Sequence, residues 1–223
     1  MTREHPKRLL FLVALGAGLF LTFALAACGN DDEPGDPADK PTEQAFLKAM
    51  IPHHESAVEM ATVAKREGRH REIKQLAEAI ESTQSEEIKQ MELLNSELFG
   101  EEITPDPGAH EQLGLSVEEA GGGHGAAAAK LEGAKPFDRA FIDEMVPHHQ
   151  GAIRMARVVL EKGDDPQVRE LAATIIRTQS EEIEEMNRWR RKWYGAPSPA
   201  GGIPRKQAAK DEQPMQEGHP AGH

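Results

Sequence analysis

Two short stretches, Met50-Ile51-Pro52-His53-His54 and Met145-Val146-Pro147-His148-His149, put paired histidines one helical turn from a methionine. Thioether sulfur is a soft donor and neutral imidazole a borderline one, so together they suit a late transition metal. Four of the ten histidines of the 223-residue chain lie in these stretches. A second methionine follows each pair, Met60 and Met155.

The stretches belong to a duplication. A shift of 95 positions aligns residues 46–94 with 141–189 without a gap, and 20 of the 49 positions are identical. Apart from Met1 and Met215, every methionine falls in a matched pair: Met50/Met145, Met60/Met155 and Met91/Met186. Thr83-Gln84-Ser85-Glu86-Glu87-Ile88 recurs at 178–183. The fold is therefore expected to contain two copies of one supersecondary unit.

Helical periodicity supplies that unit. Phe46, Met50, His53, His54, Ala57, Met60, Ala61 and Ala64 fall on one apolar stripe, with Lys48, Glu55 and Glu59 facing elsewhere. Gly68 and Gly163 stop the first helix of each repeat, and Asp164-Asp165-Pro166 reads as a cap and first turn. Ile73, Leu76, Ile80, Gln84, Glu87, Met91 and Leu94 form the stripe of the following helix. Two helical hairpins packed stripe to stripe give an all-α, ferritin-like four-helix bundle over residues 42–195. Residues 95–135 form the crossover, with a short helix expected at 116–120. Pro52 and Pro147 either kink a helix or begin one.

Within the second stripe, Gln84 and Glu87 stand among apolar residues, as do Gln179 and Glu182 in the other repeat. A buried carboxylate needs a partner. In an antiparallel hairpin turning near residue 69, residue numbers adding to about 141 lie level at equal rise. That sets Met50 beside Met91 and His54 beside Glu87, with Met145 beside Met186 and His149 beside Glu182. If the hairpins are related by an axis along the bundle, the layers of both coincide. The candidate metal ligands are thus Met50, His53, His54, Met60, Glu87 and Met91, with Met145, His148, His149, Met155, Glu182 and Met186. Any one of these residues could equally fill an ordinary core, since methionine adapts to irregular gaps and a His–Glu pair satisfies itself. Their clustering and duplication favour a metal. Glu55 is replaced by Gln150 in the second repeat, off the stripe, and no functional difference is expected from it.

Copper leads among the metals, with another transition metal still open. Thioethers select Cu(I) and imidazole adds affinity for Cu(II), whereas carboxylate and imidazole alone suit iron, manganese or zinc. The Glu-x-x-His signature of di-iron bundles is absent from the stripe that carries the buried glutamates, because Lys89 and Gln90 stand three residues after Glu86 and Glu87.

Residues 1–27 read as a signal peptide: Arg3, Lys7 and Arg8 precede an apolar run that ends Leu25-Ala26-Ala27-Cys28. This is the pattern cut before a lipidated cysteine, and Cys28 is the only cysteine of the chain. The expected product is a lipoprotein anchored through Cys28 at the extracytoplasmic face of the membrane. Residues 28–41 would be a flexible tether and 196–223 a disordered tail. Removing 1–27 lowers the net charge from −12 to about −14, which argues against a nucleic-acid partner. No protein partner can be named.

The pattern FxxxMxPHHxxAxxMA, present twice and followed by TQSEEIxxM, resembles the bacterial domain-of-unknown-function family numbered 305. The resemblance covers residues 42–195. It implies a ferritin-like bundle in an exported protein, with some relatives linked to copper through Met and His side chains. Carried onto this chain, it points to Met50, His53, His54, Met60, Met145, His148, His149 and Met155. Three functions follow in order: copper sequestration or handling, a cell-envelope structural or interaction module, and a ferritin-like metal oxidoreductase. No nucleophile elbow or phosphate loop supports an enzyme.

Overall fold

A computed structural model describes residues 40–122 and 126–205. The signal segment, Cys28 and most of the expected tether lie outside the described residues, as do 206–223 with Met215. Among the described residues there are helices and turns and no strand. In chain order the helices are α1 (Pro41–Glu67), α2 (Arg71–Phe99), a one-turn α3 (Ala127–Leu131), α4 (Phe137–Lys162) and α5 (Pro166–Tyr194). The expected bundle is α1, α2, α4 and α5. All residues of the predicted α1 and α2 stripes are buried.

Neither proline begins a helix, since α1 runs through Pro52 and α4 through Pro147. Pro52 has no N–H to offer the Lys48 carbonyl. That carbonyl instead accepts the Asp106 N–H at 2.9 Å, which fastens the crossover to α1. Gly68 and Gly163 close their helices with negative φ, −56° and −84°, so left-handed backbone is not their reason. Space is. A β-carbon would stand 2.6 Å from the Ala64 carbonyl oxygen at Gly68, and 2.9 Å from that of Val159 at Gly163. At the start of α5 the Asp165 carboxylate accepts the Gln167 and Val168 N–H groups at 2.9 and 3.1 Å, as its cap position predicts.

The axis relating the two repeats crosses the bundle instead of running along it. Asp138, at the start of α4, accepts the backbone N–H groups of Arg69 and His70 at 2.8 and 2.9 Å. Glu43, 95 residues earlier, accepts those of Asp164 and Asp165 at 2.6 and 3.0 Å. Each repeat thus begins against the hairpin turn of the other, and α1 lies antiparallel to α4. The equivalence also continues past the helices. Asn95 donates to the Glu101 carbonyl at 2.9 Å and Arg190 to that of Ala196 at 3.1 Å, so the repeat spans 43–101 and 138–196. One half of the core holds Met50, Met91 and Met155; the other holds Met60, Met145 and Met186. The Met–Met layers therefore do not coincide. They flank a middle that contains the histidines.

Two local expectations are corrected. Residues 116–120 make turns and no helix. Ser116 and Glu119 exchange the two bonds of a capping box, at 3.0 and 3.2 Å, but Gly121 and Gly122 follow at φ 98° and 89° and redirect the chain after one turn. The segment expected to be disordered from 196 is placed as far as residue 205, folded back as a strap on α4 and α5. Its Gly- and Pro-rich sequence buries little, but its backbone carbonyls are taken up by side chains of the bundle.

Candidate metal centre

Four imidazoles occupy the middle of the bundle. His53 and His148, one from each repeat, meet with ring centroids 3.7 Å apart and planes inclined by 37°. His54 lies 6.3 Å from His53, and His149 lies 6.4 Å from His148. The three ring contacts make one continuous group of them.

The two outer imidazoles each reach a carboxylate on the partner helix of their own hairpin. His54 Nε2 is 2.9 Å from Glu87 Oε2 and His149 Nε2 is 2.7 Å from Glu182 Oε2. These are the pairs the register arithmetic selects. Both histidines are fully enclosed, while the Glu87 and Glu182 side chains retain 9% and 12% exposure.

Several enclosed atoms in this middle have no hydrogen-bond partner: Nδ1 of His54 and of His149, Oε1 of Glu87 and of Gln84, and both polar atoms of the Gln179 amide. A polar atom left so costs about 1–3 kcal/mol. Around them, Met50, Met60, Met91, Met145, Met155 and Met186 are all fully buried. Each half of the core collects three thioethers, two from one repeat and one from the other. Among the described residues no three His, Cys, Asp or Glu side chains converge in a metal-holding group. The thioethers are the further soft donors that this core holds.

Residues that periodicity passed over close the site. A β-carbon on Gly151 would lie 2.1 Å from the Ala120 carbonyl oxygen; one on Gly121 would lie 3.1 Å from His53 Nε2 and 3.0 Å from the His148 carbonyl oxygen. The crossover can rest on the imidazole pair because neither position carries a side chain. Arg154 secures it by donating to the Glu119 carbonyl at 3.1 Å. Burial pulls the pKa of that guanidinium below its usual range, against the opposing charge of Glu119. The strap is held by Gln150, which donates to the carbonyls of Ala200 and Gly202 at 2.9 and 2.6 Å, and by Asn187, which donates to Gly201 at 2.8 Å and accepts from Ser198 N–H at 2.8 Å. Gln150 thus has a structural contact, with the strap, that its off-stripe position did not suggest. The signal was present where the repeats differ: Glu55/Gln150, Ser56/Gly151, Glu59/Arg154 and Glu92/Asn187.

Comparison with known proteins agrees with this architecture. CopM in its Cu(I)-bound form is similar at 34% identity, covering 69% of this chain and 98% of that one, with a TM-score of 0.58. Its Cu(II)-bound form gives 35% identity over 68% and 97%, again with a TM-score of 0.58. A putative secreted DUF305 protein from Streptomyces coelicolor shares the fold, with a TM-score of 0.62 at 23% identity over 70% of this chain and 96% of that one. The uncharacterized protein L153 of Acanthamoeba polyphaga mimivirus is 40% identical over 50 residues, 22% of this chain, and the match spans a third (33%) of that relative's length. The family model described as Domain of unknown function (DUF305) matches residues 43–190 and again 138–222, the second match starting where the second repeat starts. The chain belongs to the DUF305 family.

Proposed function

We propose that the chain binds copper in the middle of its bundle and sequesters it or hands it on outside the cytoplasmic membrane, where lipid on Cys28 holds it. The observation that carries this reading is the set of six fully buried thioethers, three in each half of the core, with four buried imidazoles in the middle of the same bundle. Soft sulfur with neutral nitrogen matches Cu(I) better than zinc or iron. The similarity to CopM, solved in Cu(I)-, Cu(II)- and Ag-bound forms, supports the same class of metal. An oxidoreductase centre of the carboxylate type would need carboxylates converging with histidines, and the described residues offer one carboxylate per outer histidine.

Metal analysis of the purified full chain, equilibrated with copper under reducing conditions, zinc and iron and then challenged with chelators, tests the reading. Copper should remain bound under competition that removes zinc and iron. Equal retention of zinc would contradict it. The anchor has its own test: cells supplied with a radiolabelled fatty acid should label the wild type and not Cys28→Ala, and an unlabelled wild type would refute it.

A further inference from the structure

His54 and His149 each have a carboxylate at hydrogen-bond distance from Nε2, 2.9 and 2.7 Å away, and an enclosed Nδ1 with no hydrogen-bond partner. A neutral imidazole carries one proton and one lone pair. A proton on Nε2 satisfies the carboxylate and leaves the lone pair on Nδ1. A proton on Nδ1 would set the Nε2 lone pair against carboxylate oxygen and strand a buried N–H, both unfavourable. Nδ1 is also the ring nitrogen beside Cγ, nearer its own helix. Helical side chains lean toward the N-terminus, where Met50 and Met145 stand one turn before His54 and His149. The carboxylates approach from the opposite edge of the ring, on α2 and α5.

We infer that Glu87 and Glu182 are positioning residues and not metal ligands: each fixes the Nε2–H tautomer, so that His54 and His149 offer Nδ1 to the metal beside the thioethers of Met50 and Met145. This rests on the copper reading and reassigns the two glutamates that the sequence places among the ligands. A carboxylate behind a ligating histidine orients the ring and raises its basicity, and its loss typically weakens metal binding by about 10–100-fold.

Two measurements decide it. In the copper-free full chain labelled with 15N-histidine, long-range proton–nitrogen spectra should show His54 and His149 as Nε2–H tautomers. An Nδ1–H tautomer at either would overturn the inference, and this arm stands whether or not copper binds and whether or not any variant folds. In Cu(I) competition, Glu87→Leu should weaken binding by about 10–100-fold while taking up the wild-type number of equivalents at saturation. Glu87→Gln, whose amide oxygen still accepts the Nε2 proton, should recover most of that affinity. Loss of a whole equivalent in Glu87→Leu, unchanged affinity there, or equal weakening in both variants would make Glu87 a ligand or a bystander and overturn the assignment. Failure of the wild type to bind copper would instead refute the proposed function.

Discussion

In α1 and α2, Glu55 and Glu92 face solvent; at the same places in α4 and α5, Gln150 and Asn187 are buried beneath residues 196–205. The difference is one of donors. The strap offers backbone carbonyls, and a carboxylate can only accept, whereas an amide donates as well. Inward of these positions the hairpins are nearly superposable in their chemistry, each with its Met–Met pair, its His–Glu bond and its histidine on the axis. The interior is fixed by a register that both hairpins share. The exterior is free to follow what comes after each hairpin, a crossover in one case and a strap in the other.

Exchanging residues between the repeats sharpens that contrast. Gly151→Ser gives the second repeat the residue of the first and drives a β-carbon into the Ala120 carbonyl. It should cost about 1–3 kcal/mol by overpacking. Ser56→Gly, the reverse exchange, costs only the helix propensity of glycine, about 0.5–1 kcal/mol. Denaturant unfolding of both measures the gap; equal losses would mean the crossover does not rest on α4 as described.

Gln150→Glu should come next. It removes both donated bonds to the strap and faces a carboxylate to two carbonyls, a loss of about 1–3 kcal/mol. Hydrogen exchange or limited proteolysis should show residues 196–205 opened. Glu55→Gln in the first repeat should stay within about 0.5 kcal/mol. A strap equally protected in Gln150→Glu would remove the donor argument.

The smallest effect concerns the helix starts. Asp165 caps α5 with its side chain, while His70, its counterpart before α2, makes no side-chain cap. Burial, the largest single influence, pushes the Asp165 pKa up; the hydrogen bond and charge of Lys40 with the Val168 and Gln167 N–H groups together pull it below the usual range. A carboxyl depressed by folding contributes stability above its unfolded pKa, about 3.9, and loses it as pH falls through the lower folded value. Asp165→Ala should therefore cost about 1 kcal/mol at neutral pH and progressively less in acid. A cost that stays constant down to the acid end would contradict the depressed carboxyl.

Much of this interior is legible in the sequence. A single sum of residue numbers, about 141, pairs His54 with Glu87 because equal rise along two helices is a property of the backbone alone. The direction of the axis is not legible that way. It depends on how one hairpin meets the other, which is settled by Glu43 and Asp138 capping each other's turns, and two acids just upstream of the aligned repeat look like ordinary surface. Gly68 and Gly163 are readable as stops but not for their reason, since clearance from a carbonyl leaves no trace in composition. The strap escapes for a similar cause. Its own residues suggest disorder, and the groups that order it, Gln150, Asn187, Arg157 and Arg190, are distributed over α4 and α5.

The central claim is that the duplicated imidazoles and thioethers hold copper. Cu(I) competition between the full chain and a chelator, with His53, His54, His148 and His149 all changed to alanine, tests it most directly. Circular dichroism should show the bundle retained, because the apolar stripes remain. The account predicts that the four-histidine variant loses the copper the wild type retains; a variant that kept wild-type stoichiometry and affinity would contradict it and leave the duplicated pattern as core packing.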